Sequence, residues 1–481
     1  MSQEALGRIS ELEDMLQIRE YVKRSSEYLC SLGINELDEL LDGGVICGSI
    51  ILVEGPPGAG KTTFAAKFIY EGAKRYGRKG AYLSFVEDKK SFYVFMESIG
   101  LNFKELEEKG LFIFIEGLPI PNEDAAKLIL ERLIMTIIEE GVNQVVVDSL
   151  TVLIRAFGIE RTRELLTTML REFKRLSVTA IIITEKPRSY VEAELGMEEY
   201  IADVVIELNY RIERGRIVRY MRILKARGRP IPLSELYFRI AKERVIEILK
   251  PVFYEDIPEI DIKIQYETGI PFIDRLVGGI PRGSQTLIII EPGLNSLEPL
   301  LMLMVPLVAR YGGPAIIHSY TISPKEIRRA LSSYIKTLDL ALNFQKVLEE
   351  TIIVARNIHL MNIYELAVAN AETDNKIKPK FIGIHDINTV VEVYCDIGSC
   401  LMLHMNNVLN RRRLGITAFY TYIADLKKDK VPGINMYDIV LSIEKVEVHG
   451  RLYYKMARLK HPILGLSPTY EIYGPLKYVR E

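Results

Sequence analysis

Two tandem α/β domains, each a mainly parallel sheet flanked by helices, are the architecture that three features of the sequence predict. Apolar runs of strand length alternate with amphipathic stretches of helical spacing. A glycine-rich segment, Gly55-Pro56-Pro57-Gly58-Ala59-Gly60-Lys61-Thr62, stands between one such run and one such stretch. Landmarks of the first half return in the second at an offset of about 235 residues, too long for a solenoid unit and suited to a duplicated domain.

Bulk properties narrow the class. A chain of 481 residues exceeds what one core holds and suggests two or three domains. Charged residues at 26% and hydrophobic residues at 48% are ordinary for a soluble globular protein. A net charge of −2 gives no global pull toward nucleic acid or membrane. Met1 to Leu16 carry Glu4, Glu11, Glu13 and Asp14 where a signal peptide has a basic stretch and an apolar core. Leu300 to Ala309 is the longest apolar stretch, too short to span a bilayer and interrupted by Pro306. A cytoplasmic protein with no membrane partner is expected. Cys30, Cys47, Cys395 and Cys400 form no CxxC pair and lack histidines at ligand spacing, so reduced, mostly buried thiols are expected. The absence of tryptophan, with abundant Glu, Lys, Arg and Ile, leans toward a thermophile.

Along the chain, Gln3 to Ser25 reads as an added amphipathic helix, within an N-terminal extension over 1–27. The first domain spans 28–250. Ile50 to Val53 is a buried strand, and Thr63 to Arg75 carries apolar residues at helical spacing. Between them lies the full GxxxxGK[ST] pattern, whose glycines let successive backbone N–H groups converge on an anion at a helix N-terminus. Gly55 to Thr62, with Thr63, are therefore the candidate ATP-binding residues. Lys61 is placed to reach the β- and γ-phosphates and Thr62 to ligate Mg²⁺. The helix-like Asp124 to Glu140 leads to the strand Gln144 to Val147, which ends in Asp148, the candidate Mg²⁺ carboxylate. Glu160 to Leu176 reads as a helix and Ala180 to Thr184 as the next strand, with Thr184 and Glu185 placed to sense the γ-phosphate.

The second half opens after a linker over 251–262, marked by Pro251 and Pro258. Gly33-Ile-Asn-Glu-Leu-Asp38 returns as Gly269-Ile-Pro-Phe-Ile-Asp274, Gly48-Ser49 as Gly283-Ser284, and Lys225 as Lys460. Asp148 is paired with Asp386 on the same logic. Aligned on Gly283-Ser284, Ser296 replaces Lys61, Leu297 replaces Thr62, and Glu291 adds a negative charge where phosphates would sit. The domain over 263–481 is expected to be a copy without ATP chemistry.

The opening GINELDELLDGG, the loop GPPGAGKTT, the strands VVVDSLT and IIITE, the segment LNFKELEEKGLFI and ILKARG at Ile223 to Gly228 resemble the KaiC family of RecA-like ATPases. The resemblance covers nearly all of the first half and, more weakly, the second. It implies two tandem RecA-like P-loop NTPase domains and self-assembly into rings, typically hexamers, with nucleotide at the subunit interfaces. In that family two adjacent glutamates follow the strand after the P-loop helix. Here Val86 stands at the first position and Glu87 at the second, so Glu87 is the candidate base, turnover is expected to be slow, and Asp88 takes the role if the register shifts by one. Lys225 and Arg227 match the basic pair that in the family reaches a neighbour's γ-phosphate; the second half has Lys460-His-Pro462 there. Clock-type members phosphorylate adjacent Ser/Thr residues in the second domain. Neither Gly433 to Asp438 nor Met197 to Asp203 offers such a pair, so autokinase activity is not expected.

The expected function is a Mg²⁺-dependent, slowly hydrolysing ATPase that acts as a ring-forming switch read by an unidentified protein partner. Two rivals remain. Arg155, Arg161, Arg163, Lys186 and Arg188 suggest a recombinase-like DNA-binding ATPase, although the overall charge does not indicate nucleic acid. Val86 and the degenerate copy suggest a nucleotide-gated scaffold that does not hydrolyse.

Overall fold

The computed structural model describes residues 29–473, except 118–122, 186–201, 214, 233–234, 243–244, 253, 338–343, 395–398, 450, 464 and 466–468. The N-terminal extension, Lys186, Arg188, Met197 to Tyr200 and Cys395 therefore lie outside the described residues. The chain forms two compact units that divide between Lys250 and Pro251.

In the first unit a nine-stranded sheet runs in the order Val245–Ile248, Glu235–Ala241, Arg216–Ala226, Val204–Glu213, Ile50–Gly55, Thr179–Glu185, Gln144–Asp148, Gly80–Ser84, Phe112–Glu116. From Val204–Glu213 to Phe112–Glu116 all neighbours are parallel; the three strands beyond Val204–Glu213 pair antiparallel. Parallel strands need covered faces, and alternation supplies both. Ile181 and Ile183 pack with Phe64 and Phe68 of the helix Lys61–Tyr76 on one face. Ala180 and Ile182 pack on the other with Leu130 and Leu133 of the helix Glu123–Glu140 and Phe173 of Ile159–Arg175. Phe64 and Phe68 are fully buried, and burying each contributes about 2–3 kcal/mol. All three helices begin one or two residues before the positions expected from their apolar spacing, which marks the buried face and not the helix end.

The second unit repeats this topology. Its eight-stranded sheet runs Thr351–Ala355, Ala315–Ser319, Phe381–His385, Thr417–Ile423, Gln285–Ile290, Ile439–Val448, Arg451–Lys460, Thr469–Tyr473. Read from the other end, that is the first unit's order without its outermost strand. Individual hydrogen bonds recur as well. Asp38 accepts from Leu32 N and Asp274 from Thr268 N, each at 2.7 Å. Asp203 Oδ2 accepts from Ile50 N at 2.9 Å, and Asp438 Oδ2 from Gln285 N at 2.8 Å. Gly48 N donates to Thr179 Oγ1 and Gly283 N to Thr417 Oγ1, both at 2.9 Å. The strand Asp261–Tyr266, paired with Ile280–Arg282, begins inside the segment expected to be linker.

Two expectations are corrected. The cysteines are not all reduced: Leu29–Cys30 pairs antiparallel with Val45–Ile46, which brings Cys30 and Cys47 to a Cα separation of 5.0 Å and joins them in a disulfide. Asp386 is not the counterpart of Asp148. Ser84 pairs with Asp148 in the first unit, and Ser319 pairs with His385 in the second, so His385 occupies the carboxylate's place. Asp386 falls one residue past the strand, where its Oδ2 accepts from Thr389 Oγ1 at 2.9 Å. Among the described residues no helix is long and apolar enough to cross a membrane.

Candidate nucleotide site

The candidate site lies at the carboxyl ends of four adjacent parallel strands, ending at Gly55, Ser84, Asp148 and Glu185. Ligands of open α/β sheets gather at this edge. The chain leaves Gly55 with φ 144°; a Cβ there would lie 1.9 Å from Leu208 O, so only glycine fits beside the neighbouring strand. At Gly58, φ 79°, a Cβ would meet nothing within 4 Å, and the loop there faces open space. The helix Lys61–Tyr76 then starts at Gly60, with no side-chain cap and no acidic residue in its first turn. Its first N–H groups and partial positive charge are left for a ligand.

Lys61, 7% exposed, turns its Nζ onto Gly55 O at 2.8 Å and Pro56 O at 2.9 Å. Burial pulls its pKa down, against the opposing charges of Glu185 and Asp148. Thr62 Oγ1 donates to Asp148 Oδ2 at 2.8 Å, and Tyr82 OH donates to the same oxygen at 2.8 Å. Burial raises the Asp148 pKa, while the two hydroxyls and Lys61 act the other way. Thr63 follows, half-buried, in the first helical turn.

Beyond Ser84, a tight turn sets the acids. Glu87 N donates to Ser84 Oγ at 2.9 Å. Glu87 Oε2 is buried without a hydrogen-bond partner, as is Thr184 Oγ1 on the strand opposite Glu54. The Glu87 pKa is raised by burial first, then by the charges of Asp148 and Asp88. Asp88 is committed elsewhere: it caps the helix Lys89–Ser98, accepting from Ser91 N at 2.9 Å and Ser91 Oγ at 2.8 Å. Val86 is 53% exposed. Glu185 pairs with Arg155 at 3.3 Å, and its N–H is held by Thr151 Oγ1 at 2.8 Å.

Lys225 and Arg227 stand apart from this cluster. Lys225 pairs in register with Val205 near the end of Arg216–Ala226. Arg227, its side chain 58% exposed, approaches Asp203 Oδ1 at 3.5 Å. The fold thus gathers Lys61, Thr62 and Asp148 and keeps Lys225 and Arg227 on the antiparallel extension. Tyr82 is the residue that sequence reasoning missed. Its signal was a tyrosine inside a fully buried strand, where a hydroxyl needs a partner.

Among the described residues no group of three or more His, Cys, Asp or Glu is placed to hold a metal. A hydroxyl beside one carboxylate is the minimal set that suits Mg²⁺, which takes its other ligands from phosphate and water. The open space over Gly58, the uncapped helix and the orphaned Glu87 Oε2 fit a nucleotide with its ion.

The second unit lacks that fit. Ser296, at the lysine's place, lies with its Oγ 2.9 Å from His385 Nε2. Glu291 Oε2 accepts from Lys445 N at 2.6 Å, and Lys445 Nζ lies 3.7 Å from where a Gly293 Cβ would stand. Where nothing stands within 4 Å at Gly58, the protein's own ammonium comes into contact range here.

A parallel sheet with a phosphate loop at its carboxyl edge, beside a strand-end aspartate, defines the P-loop ATPase class. Residues 30–252, nearly all of the first unit, match the family described as ATPase: KaiC. The chain is 30% identical over 315 residues to the circadian clock protein KaiC2 of Synechocystis sp., covering 63% of this chain and 54% of that protein. It is 27% identical over 312 residues to the circadian clock oscillator protein KaiC of Picosynechococcus sp., covering 63% and 60%. It is 28% identical over 256 residues to the circadian clock protein KaiC3 of Synechocystis sp., covering 51% and 50%. The chain thus spans between half and three-fifths of the length of these relatives.

Proposed function

We propose that the first unit binds ATP with Mg²⁺ and hydrolyses it slowly, and that the chain works as a ring-forming switch with one competent site per subunit. The observation that carries this reading is the convergence of Lys61 Nζ, Thr62 Oγ1 and the Asp148 carboxylate at an uncapped helix N-terminus. In this reading the loop N–H groups from Gly58 to Thr62 hold the phosphates, and Lys61 leaves its two loop carbonyls to meet their charge. Thr62 and Asp148 hold the ion, whose chemistry is to neutralise the phosphate oxygens. Glu87 orients and deprotonates the attacking water; its buried, unpartnered Oε2 and raised pKa suit a base. Val86, apolar and exposed, supplies no second acid, which supports a slow rate. Thr184 and Glu185 read the terminal phosphate. Lys225 and Arg227 act on the neighbouring subunit's site, which the exposure of Arg227 permits. The second unit, with Ser296, His385 and Glu291, serves assembly or regulation without nucleotide chemistry. A steady-state ATPase assay with Lys61→Ala as control tests the reading; equal rates for both proteins overturn it.

Of the residues behind the DNA-binding reading, Lys186 and Arg188 lie outside the described residues. Arg155 is paired with Glu185 at 3.3 Å and Arg161 with Glu123 at 2.7 Å.

A further inference from the structure

Asp148 is 5% exposed, and its Oδ2 receives both hydroxyls, Thr62 Oγ1 and Tyr82 OH, at 2.8 Å each. Among the described residues no side chain donates to Oδ1. The two donors differ in kind. Thr62 is part of the loop and responds to whatever the loop binds. Tyr82 belongs to the sheet: it is fully buried, its ring centroid 4.7 Å from Phe92 and 6.0 Å from Phe114, the latter stacked. It sits two places before Ser84, the residue that pairs with Asp148. With its ring clamped, the hydroxyl has one direction to point. A carboxylate held on one oxygen by a donor fixed in the sheet keeps its plane and presents the other oxygen consistently.

We propose that Tyr82 is a positioning residue for the metal carboxylate, holding Asp148 aligned for Mg²⁺ through the sheet rather than through the loop. The inference rests on the ATPase reading above. The second unit supplies a contrast. There Ile317 pairs with Gly383 as Tyr82 pairs with Val146, and His385 stands for Asp148. The hydroxyl and the carboxylate are absent together.

The test is calorimetric titration of the full chain with a non-hydrolysable ATP analogue, in EDTA and at stepped Mg²⁺ concentrations. For Tyr82→Phe, affinity in EDTA should stay at the wild-type value. The Mg²⁺ concentration that half-restores tight binding should rise about 10-fold, the scale of losing an outer-sphere partner of a metal ligand. Tyr82→Met, which also lacks the hydroxyl, should behave alike. A purely structural tyrosine would lower the melting temperature and leave the Mg²⁺ titration in place. Superimposable Mg²⁺ curves overturn the inference, and so does loss of EDTA binding in both variants. If wild type itself binds the analogue no better than Lys61→Ala, the ATPase reading falls first.

Discussion

Ser296 Oγ lies 2.9 Å from His385 Nε2, at the place where the first unit sets its loop lysine beside the strand-end aspartate. Burial keeps the His385 pKa below its ordinary value, so a neutral pair has replaced two charges. Each chain should therefore bind one nucleotide. Calorimetry that finds two tight sites per chain would contradict this, and Ser296→Lys should not create a second one, because Leu297 and Glu291 remain.

Glu87→Gln should lower turnover at least about 100-fold with ATP affinity kept, the usual scale for losing a general base. Asp88→Asn should cost little in catalysis, since that carboxylate caps a helix. Wild-type turnover itself should fall well below the roughly 10 s⁻¹ typical of enzymes. Normal hydrolysis by Glu87→Gln, with loss in Asp88→Asn, would move the base by one residue.

Lys61→Ala and Arg227→Ala chains should each be nearly inactive alone and regain part of the activity when mixed and reassembled. Some interfaces then join an intact loop to intact cations. The recovery should grow with protein concentration. Mutant rings that exchange subunits without recovery would return Arg227 to a solvated arginine near Asp203.

His404 gives the second unit an acid sensitivity. Burial first, then the Arg411 charge, lowers its pKa from 6.5 to about 4. Its Nε2 lies 2.6 Å from Tyr437 OH. The folded state refuses a proton that the unfolded chain accepts, so stability is full above pH 6.5 and declines as the pH falls toward about 4. Urea melts across that range should show the decline, and His404→Gln should flatten it. An unchanged slope in the variant would assign the effect to other groups.

Cys47→Ser should lower the stability of the first unit by about 3 kcal/mol, the scale for a cross-link closing a loop of this size. Denaturant melts with and without reductant give the same comparison in wild type. Coincident curves would mean that the bridge adds nothing.

The sequence by itself determined what is local or periodic. Gly55 to Thr62 announce a phosphate loop because the motif is contiguous, and its strand and helix are written on either side. Duplication was legible because the landmarks keep their order and offset, and the same chain order produces the same sheet order. Only the tertiary structure decided what depends on register between distant strands. Asp386 looked like Asp148 along the chain, but a shift of one residue along a strand sends a side chain to the other face, and the ladder gave that place to His385. Cys30 and Cys47 showed no pairing motif; two short antiparallel strands brought them together. Tyr82 and Asp148 are 66 residues apart and share a hydrogen bond because adjacent parallel strands align them. Contacts of this kind are set by where the sheet places each strand, and no spacing in a single sequence records that.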